Sequence, residues 1–368
     1  MKLLYITNGV NGSGGLERVL SVKANYLVEK LNYKVHILTL NNGHDNLFFD
    51  FNSSIVFHDI PVSVNPIAYV SSYVSGIKNT IKKLNPDVIV VCDDGLKAFF
   101  LPTILGKSIP IIYERHVSKA IEIGKNFGIW KLLLAKLKMK TMGVLANSFT
   151  KFIVLSSENT KEWKVTNLQI IPNPLPFYPN ESATLLNKKV IAVGKQSYQK
   201  GYDRLLESWQ NVHTENPDWQ LEIYGKLDAT EGLENHAKSL EIEASVRYFE
   251  PQKNIINVYL ESAIYVMSSR FEGFGMVLIE AMACGIPCVS FNCPFGPSDI
   301  ITNDVDGFLV ENGDTKALAE KLNLLIENPE LRMKMGQLAK ENVKRFLPEN
   351  IMQQWDELFK LVVSQKIK

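Results

Sequence analysis

The sequence predicts an α/β protein of two doubly wound, Rossmann-like domains facing across a cleft. Three observations predict it. Short apolar runs alternate with stretches of helical spacing and with few hairpin signals, which means parallel strands joined by crossover helices. The alternation breaks at the densest proline segment, PNPLPFYPNES (172–182), and restarts behind it with another strand, glycine turn and helix. The 368 residues suffice for two domains, at roughly 100–200 residues each. The expected domains are 1–175 and 183–347, followed by a last helix over 349–364.

In order along the chain, KLLYIT (2–7) is an apolar run that ends in the glycine-rich stretch GVNGSGG (9–15). LERVLSVKANYLVEKL (16–31) then has apolar residues at helical spacing, and KVHILTL (34–40) is the next strand. Further strands are expected at 54–60, 87–92, 109–114, 151–156 and 168–172, with helices at 66–84, 128–142 and 157–164. In the second half strands fall at 188–194, 219–225, 246–250, 263–269 and 286–291, with helices at 201–214, 231–242, 254–260 and 275–284. Three helices close the chain at 314–327, 329–346 and 349–364, broken around Pro348, whose ring is not tolerated inside a helix.

Composition narrows the class. Hydrophobic residues make up 46% and charged residues 21%, ordinary for a globular protein with a full core. No run approaches the roughly 18 uninterrupted apolar residues of a spanning helix, and the N-terminus reads straight into a strand and turn, so a cytoplasmic protein is expected. The four cysteines are Cys92, Cys284, Cys288 and Cys293; no His lies near the trio, so buried thiols are expected rather than a zinc site. Net charge is +1 but unevenly spread: residues 1–180 carry 20 Lys and Arg against 12 Asp and Glu. Between Arg115 and Lys151 eight basic residues face one acid, Glu122. A basic half of this kind suits an anionic partner.

Three segments carry candidate chemistry. GVNGSGGLER (9–18) is a glycine-rich turn between strand and helix, where backbone N–H groups can approach a phosphate. Its glycines miss the G-x-G-x-x-G spacing, and Thr39 and Asn41 stand where a dinucleotide site wants an acid. In VGKQSYQKGYDRL (193–205), Lys195 follows a strand and Lys200 precedes a helix; both ammonium groups can reach the carboxyl edge of the sheet and screen a diphosphate leaving group. In SSRFEGFGMVLIEAMACGIPCV (268–289), Glu272 lies in a loop and Glu280 eight residues on in a helix. Carboxylates there are natural partners for vicinal hydroxyls, and Phe274, Gly275 and Met276 open the helix with exposed N–H donors. In isolation, two lysines beside a turn and two glutamates on a loop and helix are ordinary surface features. Their combination is not.

Together with GGLER (14–18), IIPNPLPF (170–177) and CPFGPSDII (293–301), these segments resemble the retaining glycosyltransferases of family 4, which have the GT-B fold. The resemblance implies that Glu280 binds the ribose hydroxyls of a nucleotide-sugar, and that Glu272 with Phe274, Gly275 and Met276 holds the donor hexose. Lys200 would bind the diphosphate, with Lys195 where the family commonly has Arg. Gly14 and Gly15 would lie against the donor from the first domain, and His116, in IIYERHVS, close to the sugar. The last helix would cross back onto the first domain, and domain closure would assemble the site. Gly225-Lys226-Leu227 and YFEPQ (248–252) depart from the family's glycines near the base. CPFGPSDII stands where many relatives have a G-G-x-P-E loop.

The resemblance points to a UDP-hexose or UDP-N-acetylhexosamine donor and to capsular, O-antigen or lipid-linked glycans. Same-face substitution is implied, the departing diphosphate taking the acceptor's proton, with Glu272, His116 and Lys200 as catalytic residues. The resemblance implies no metal or other cofactor, since family 4 lacks the acidic D-x-D metal site of other folds and Asp93-Asp94 does not recreate it. The helix in GIWKLLLAKLKMKTMG (128–143) mixes leucines with Lys131, Lys136, Lys138 and Lys140. It suits either an ordinary domain helix or an anionic membrane surface, with a lipid-diphosphate acceptor. No motif for nucleic acid is present. The rival readings are a non-catalytic nucleotide-sugar or glycan-binding subunit and an NAD-dependent sugar oxidoreductase.

Overall fold

The computed structural model describes residues 1–44, 46–119 and 128–366. Lys125 and Glu122 of the basic stretch lie outside them. The chain forms two units, Met1–Pro176 with Pro348–Lys368, and Phe177–Leu347. The boundary falls inside the proline segment.

The first unit holds a seven-stranded parallel sheet of β1 (Lys2–Ile6), β2 (Lys34–Leu40), β3 (Val56–Ile60), β4 (Val88–Val91), β5 (Ile111–Glu114), β6 (Lys151–Val154) and β7 (Leu168–Ile170), in the order β3-β2-β1-β4-β5-β6-β7. The crossover helices are α1 (Gly15–Glu29), α2 (Pro66–Leu84), α3 (Leu101–Leu105) and α4 (Ile129–Leu145). Every residue of β4, VIVV, is buried, as expected of a central strand covered on both faces. Asn65 caps α2 by accepting from the N–H groups of Ile67 and Ala68, and Pro66 opens it. One face of the sheet packs on Tyr73 and Ile77 of α2, Phe99 just before α3, and Met142 of α4. The helix expected at 157–164 is only a 3-10 turn, Glu158–Lys161. The Asn159 side chain accepts from the backbone and hydroxyl of Ser156 at 3.1 and 2.9 Å, a local bond that competes with helix.

The second unit holds a six-stranded parallel sheet of β8 (Lys189–Val193), β9 (Gln220–Tyr224), β10 (Val246–Phe249), β11 (Ile264–Met267), β12 (Cys288–Asn292) and β13 (Gly307–Glu311), ordered β10-β9-β8-β11-β12-β13. Its helices are α5 (Tyr202–Glu215), α6 (Leu233–Ser239), α7 (Ile255–Leu260), α8 (Met276–Ala283), α9 (Pro297–Ile300), α10 (Thr315–Glu327) and α11 (Pro329–Asn342). Three elements were not foreseen: the helical stretch 96–105, α9, and the edge strand β13. Each is short and lacks a sustained apolar period.

The chain then returns to the first unit as α12 (Pro348–Lys366), which packs on α1 and β4. Pro348 is the first residue of this helix, where its missing N–H costs nothing. In both sheets the strand order reverses beside the first strand: β1 lies between β2 and β4, and β8 between β9 and β11. Open α/β sheets bind ligands at the carboxyl ends of strands at such a switch point.

Candidate active site

In the second unit the switch point is framed by the chain leaving β8 and the chain leaving β11. Lys200 closes a 3-10 turn, Tyr198–Lys200, before α5. Its side chain passes directly over Gly194, where a Cβ would come within 2.8 Å of the Lys200 Cε. The Lys200 ammonium donates to Glu272 Oε1 at 2.7 Å, and the Ser269 hydroxyl donates to the same oxygen at 2.5 Å. Glu272 is buried. An ammonium has three donors, so Lys200 can hold Glu272 and an anion together.

The two loops are stitched by contacts that no sequence motif revealed. Arg270 grips Asp203 through two bonds of 2.8 and 2.6 Å, donates to the Tyr198 carbonyl at 2.9 Å, and lies over the Tyr198 ring. Burial works to raise the Asp203 carboxyl, but the Arg270 bonds outweigh it and hold it below its ordinary range. Ser268 Oγ donates to the Lys200 carbonyl at 2.9 Å, and Gln199 donates to that of Phe271 at 3.1 Å. On the other side the Glu272 N–H donates to Pro294. Gly296, at φ +116°, lets that second loop touch the Phe274 carbonyl, which a Cβ would approach to 1.8 Å. The only sequence hint of this scaffold was the adjacency of Ser268, Ser269 and Arg270 to Glu272.

Gly275, at φ +97°, caps α8, and Met276 is its first residue. Phe274 is buried edge-on against Phe346 at 5.6 Å. Glu280 lies on α8, buried, and accepts from the Tyr259 hydroxyl at 3.2 Å. Burial first, then the Glu280 charge, push the Cys284 thiol up to about 12. All four cysteines are free and buried. Lys195 is exposed beyond β8, and its charge contributes, after the Thr230 hydrogen bonds, to holding the Asp228 carboxyl down. Thus Lys200 and Glu272 meet directly, whereas Glu280 is held by Tyr259 and Lys195 is exposed beyond β8.

In the first unit, Gly14 caps α1 and Gly15 begins it, both exposed. A Cβ at Gly15 would meet nothing within 4 Å. Asn8 spans the switch point, donating to Asp93 Oδ1 at 2.9 Å. His116 follows β5, its Nε2 3.4 Å from Glu114 Oε1. Both Glu114 oxygens accept from the Lys23 ammonium at 2.6 Å. Burial opposes the Glu114 charge, but Lys23 and then His116 prevail and hold its carboxyl down at about 2. The Lys23 ammonium also sits 3.5 Å from the centre of the Trp355 ring on α12. Cys92, Glu114 and His116 offer ligand atoms within 4.8 Å of one another. A cation there would have to displace Lys23 and to ionise a Cys92 thiol that burial raises well above its ordinary value. Lys23 could have been noticed: it falls on the apolar stripe of α1 with Val19, Leu20, Ala24 and Leu27.

Two parallel α/β sheets, each reversing its strand order beside its first strand, form two Rossmann-like units of the GT-B type. Comparison with known families makes this specific. Residues 180–342 match the model described as "Glycosyl transferases group 1". An uncharacterised glycosyltransferase of Haemophilus influenzae is 31% identical over 365 residues, covering 96% of this chain and 98% of its own. The amylovoran biosynthesis glycosyltransferase AmsD of Erwinia amylovora is 29% identical, covering 97% and 99%. Among solved structures, S. aureus TarM in complex with fondaparinux, alpha-GlcNAc-glycerol and UDP superposes with a TM-score of 0.79 at 16% identity, covering 98% of this chain and 100% of its own. This chain belongs to the group 1 glycosyl transferases.

Proposed function

We propose that the protein is a retaining glycosyltransferase that moves a hexose or N-acetylhexosamine from a UDP-sugar to a glycan acceptor on a lipid diphosphate, in surface polysaccharide synthesis. The observation that carries the reading is the Lys200–Glu272 bond at the switch point of the second sheet, followed directly by the N-terminus of α8 and its buried Glu280. AmsD is named for amylovoran biosynthesis and the TarM structure contains UDP; both support the donor and pathway class.

The residues divide the work. Glu280, held by Tyr259, accepts from the ribose hydroxyls. Glu272 and the N–H groups of Phe274, Gly275 and Met276 hold the sugar. Lys200, assisted by Lys195, neutralises charge that builds on the departing diphosphate. In the first unit Gly14 and Gly15 keep the start of α1 free of side chains of their own, and His116 stands 3.4 Å from the Glu114 carboxylate. The Glu272 carboxylate is already engaged by two donors, an arrangement suited to orienting a sugar rather than attacking its anomeric carbon. The acceptor hydroxyl then forms the new bond on the face the diphosphate leaves, and its proton passes to the departing phosphate oxygen, so configuration is retained.

The test is incubation with a panel of labelled UDP-sugars and lipid-extracted acceptors, followed by NMR of the new linkage. Transfer from an α-linked UDP-sugar to give an α-linkage is expected. Transfer with inversion, or only from GDP- or ADP-sugars, would refute the reading.

A further inference from the structure

We infer that the first unit lies against an anionic lipid bilayer through a composite face made by α2, the helical stretch 96–105 and α4. The inference rests on the lipid-linked acceptor proposed above and supplies the surface on which that acceptor would be met. These three segments pack on one side of the sheet. Among them they contain eight lysines and no aspartate or glutamate; Lys97 lies 3.5 Å from the Asp93 carboxylate beyond β4, and the other seven sit on α2 and α4.

The face is also apolar where a buried core has no need of it. On α4, Ile129, Leu133 and Leu137 recur every four residues with Trp130 and Leu134 beside them, and all five are at least half exposed. Ala135 and Met142 supply the buried side of the same helix. At 3.6 residues per turn, Lys136 and Lys140 border one side of the exposed apolar stripe, and Lys131 and Lys138 the other. A helix that serves only its own domain puts polar residues on its outer face. Here that face is leucine, isoleucine and tryptophan rimmed by ammonium groups, the pattern of a helix seated in a lipid interface.

α2 repeats the pattern. Ile67 and Val70 are 84% and 60% exposed near its N-terminus, and Lys78, Lys82 and Lys83 follow in its C-terminal half. Phe100, 40% exposed, lies in the stretch between the two helices; that stretch touches α4, and its Lys97 lies over the Tyr69 and Tyr73 rings of α2. Both helices end only a few residues before the next strand begins. Their apolar N-terminal halves therefore point to the carboxyl edge of the sheet, the edge that carries His116 and the Asn8–Gly14 turn. A bilayer on this face would hold a lipid-linked glycan beside that edge.

The protein carries its own probe. Trp130 is 81% exposed, whereas Trp163, Trp209, Trp219 and Trp355 are all buried. The full chain is mixed with phosphatidylcholine vesicles with and without phosphatidylglycerol, and binding is read by co-sedimentation and tryptophan emission. Binding to the phosphatidylglycerol vesicles, with a blue shift in emission and a loss on raising salt, is expected. Trp130→Ser/Leu134→Ser and Lys131→Gln/Lys136→Gln/Lys140→Gln should each weaken it by about tenfold or more, and the first should abolish the blue shift. Absence of binding, or equal binding by wild type and both variants, overturns the inference. So does a wild-type dimer that either variant converts to monomer, since the face would then be covered by a second copy. UDP-dependent thermal stabilisation is measured on the same samples. Its retention alongside absent vesicle binding refutes the membrane face alone, whereas its absence counts against the donor site.

Discussion

Glu272 has two donors on one oxygen, and removing either should separate its roles. Lys200→Ala takes away the cation that holds Glu272 and that the proposal sets against the leaving group, and Glu280→Ala takes away the proposed ribose contact. Each should lower transfer by about 100-fold, the scale of losing a charge-assisted bond of about 3 kcal/mol, with the fold intact. Ser269→Ala leaves the charges in place and should cost less, about tenfold, through a looser Glu272. Steady-state rates with the labelled donor check all three. Beneath His116, the Lys23–Glu114 pair is a buried charge cluster, and Lys23→Met should destabilise the first unit by about 3–5 kcal/mol because Glu114 is left without its partner. The sign with pH follows from the depressed carboxyl. Glu114 goes from an ordinary 4.5 down to about 2, so its contribution is complete above 4.5 and is lost as pH falls toward 2. Urea midpoints across that window should fall more steeply for wild type than for Lys23→Met/Glu114→Gln. Parallel slopes would contradict the assignment. Lys200, Glu272 and Glu280 stand out in the sequence as candidates because motif and spacing are local. Arg270 with Asp203 and Lys23 with Glu114 are separated by 67 and 91 residues, and no local pattern announces such pairs.

At the scale of elements, the helix that presents Glu280 is held at its start by backbone contact rather than by a side-chain cap. Gly296 is the tightest point, since any Cβ would press on the Phe274 carbonyl. Gly296→Ala should displace the Phe274–Met276 turn, weaken nucleotide binding by about tenfold or more, and cost more than 1 kcal/mol of stability. Normal binding by isothermal calorimetry would show that the turn is not part of the site. Long periodic elements such as α1, α2, α5 and α12 were plain in the sequence because burial of one face imposes the 3.6-residue period. α4 is the instructive exception. It is apolar on two sides, so its periodicity marks a helix without saying which side the protein buries. Edge strand β13 and the four-residue α9 escaped because so few residues carry no period at all.

At the scale of the whole molecule, the chain ends by returning to where it began. Ile351, Met352, Trp355, Leu358, Phe359 and Val362 of α12 are all buried, each side chain being worth about 1.5–3 kcal/mol, comparable in sum to the stability of an entire domain. A chain ending at Leu347 should therefore lose hydrogen-exchange protection across residues 1–176 while keeping it across 177–347. Equal protection in both units would contradict the division. The claim that matters most is that the second sheet's switch point seats a nucleoside diphosphate. It is tested most directly by the unfolding temperature of wild type, Lys200→Ala and Glu280→Ala with UDP, GDP, ADP and NAD, since a ligand at about 100 times its Kd adds about 2.7 kcal/mol. A clear rise with UDP in wild type, much reduced in both variants, is the predicted result. No rise with any diphosphate, a rise with NAD alone, or the same rise in Lys200→Ala as in wild type would contradict it.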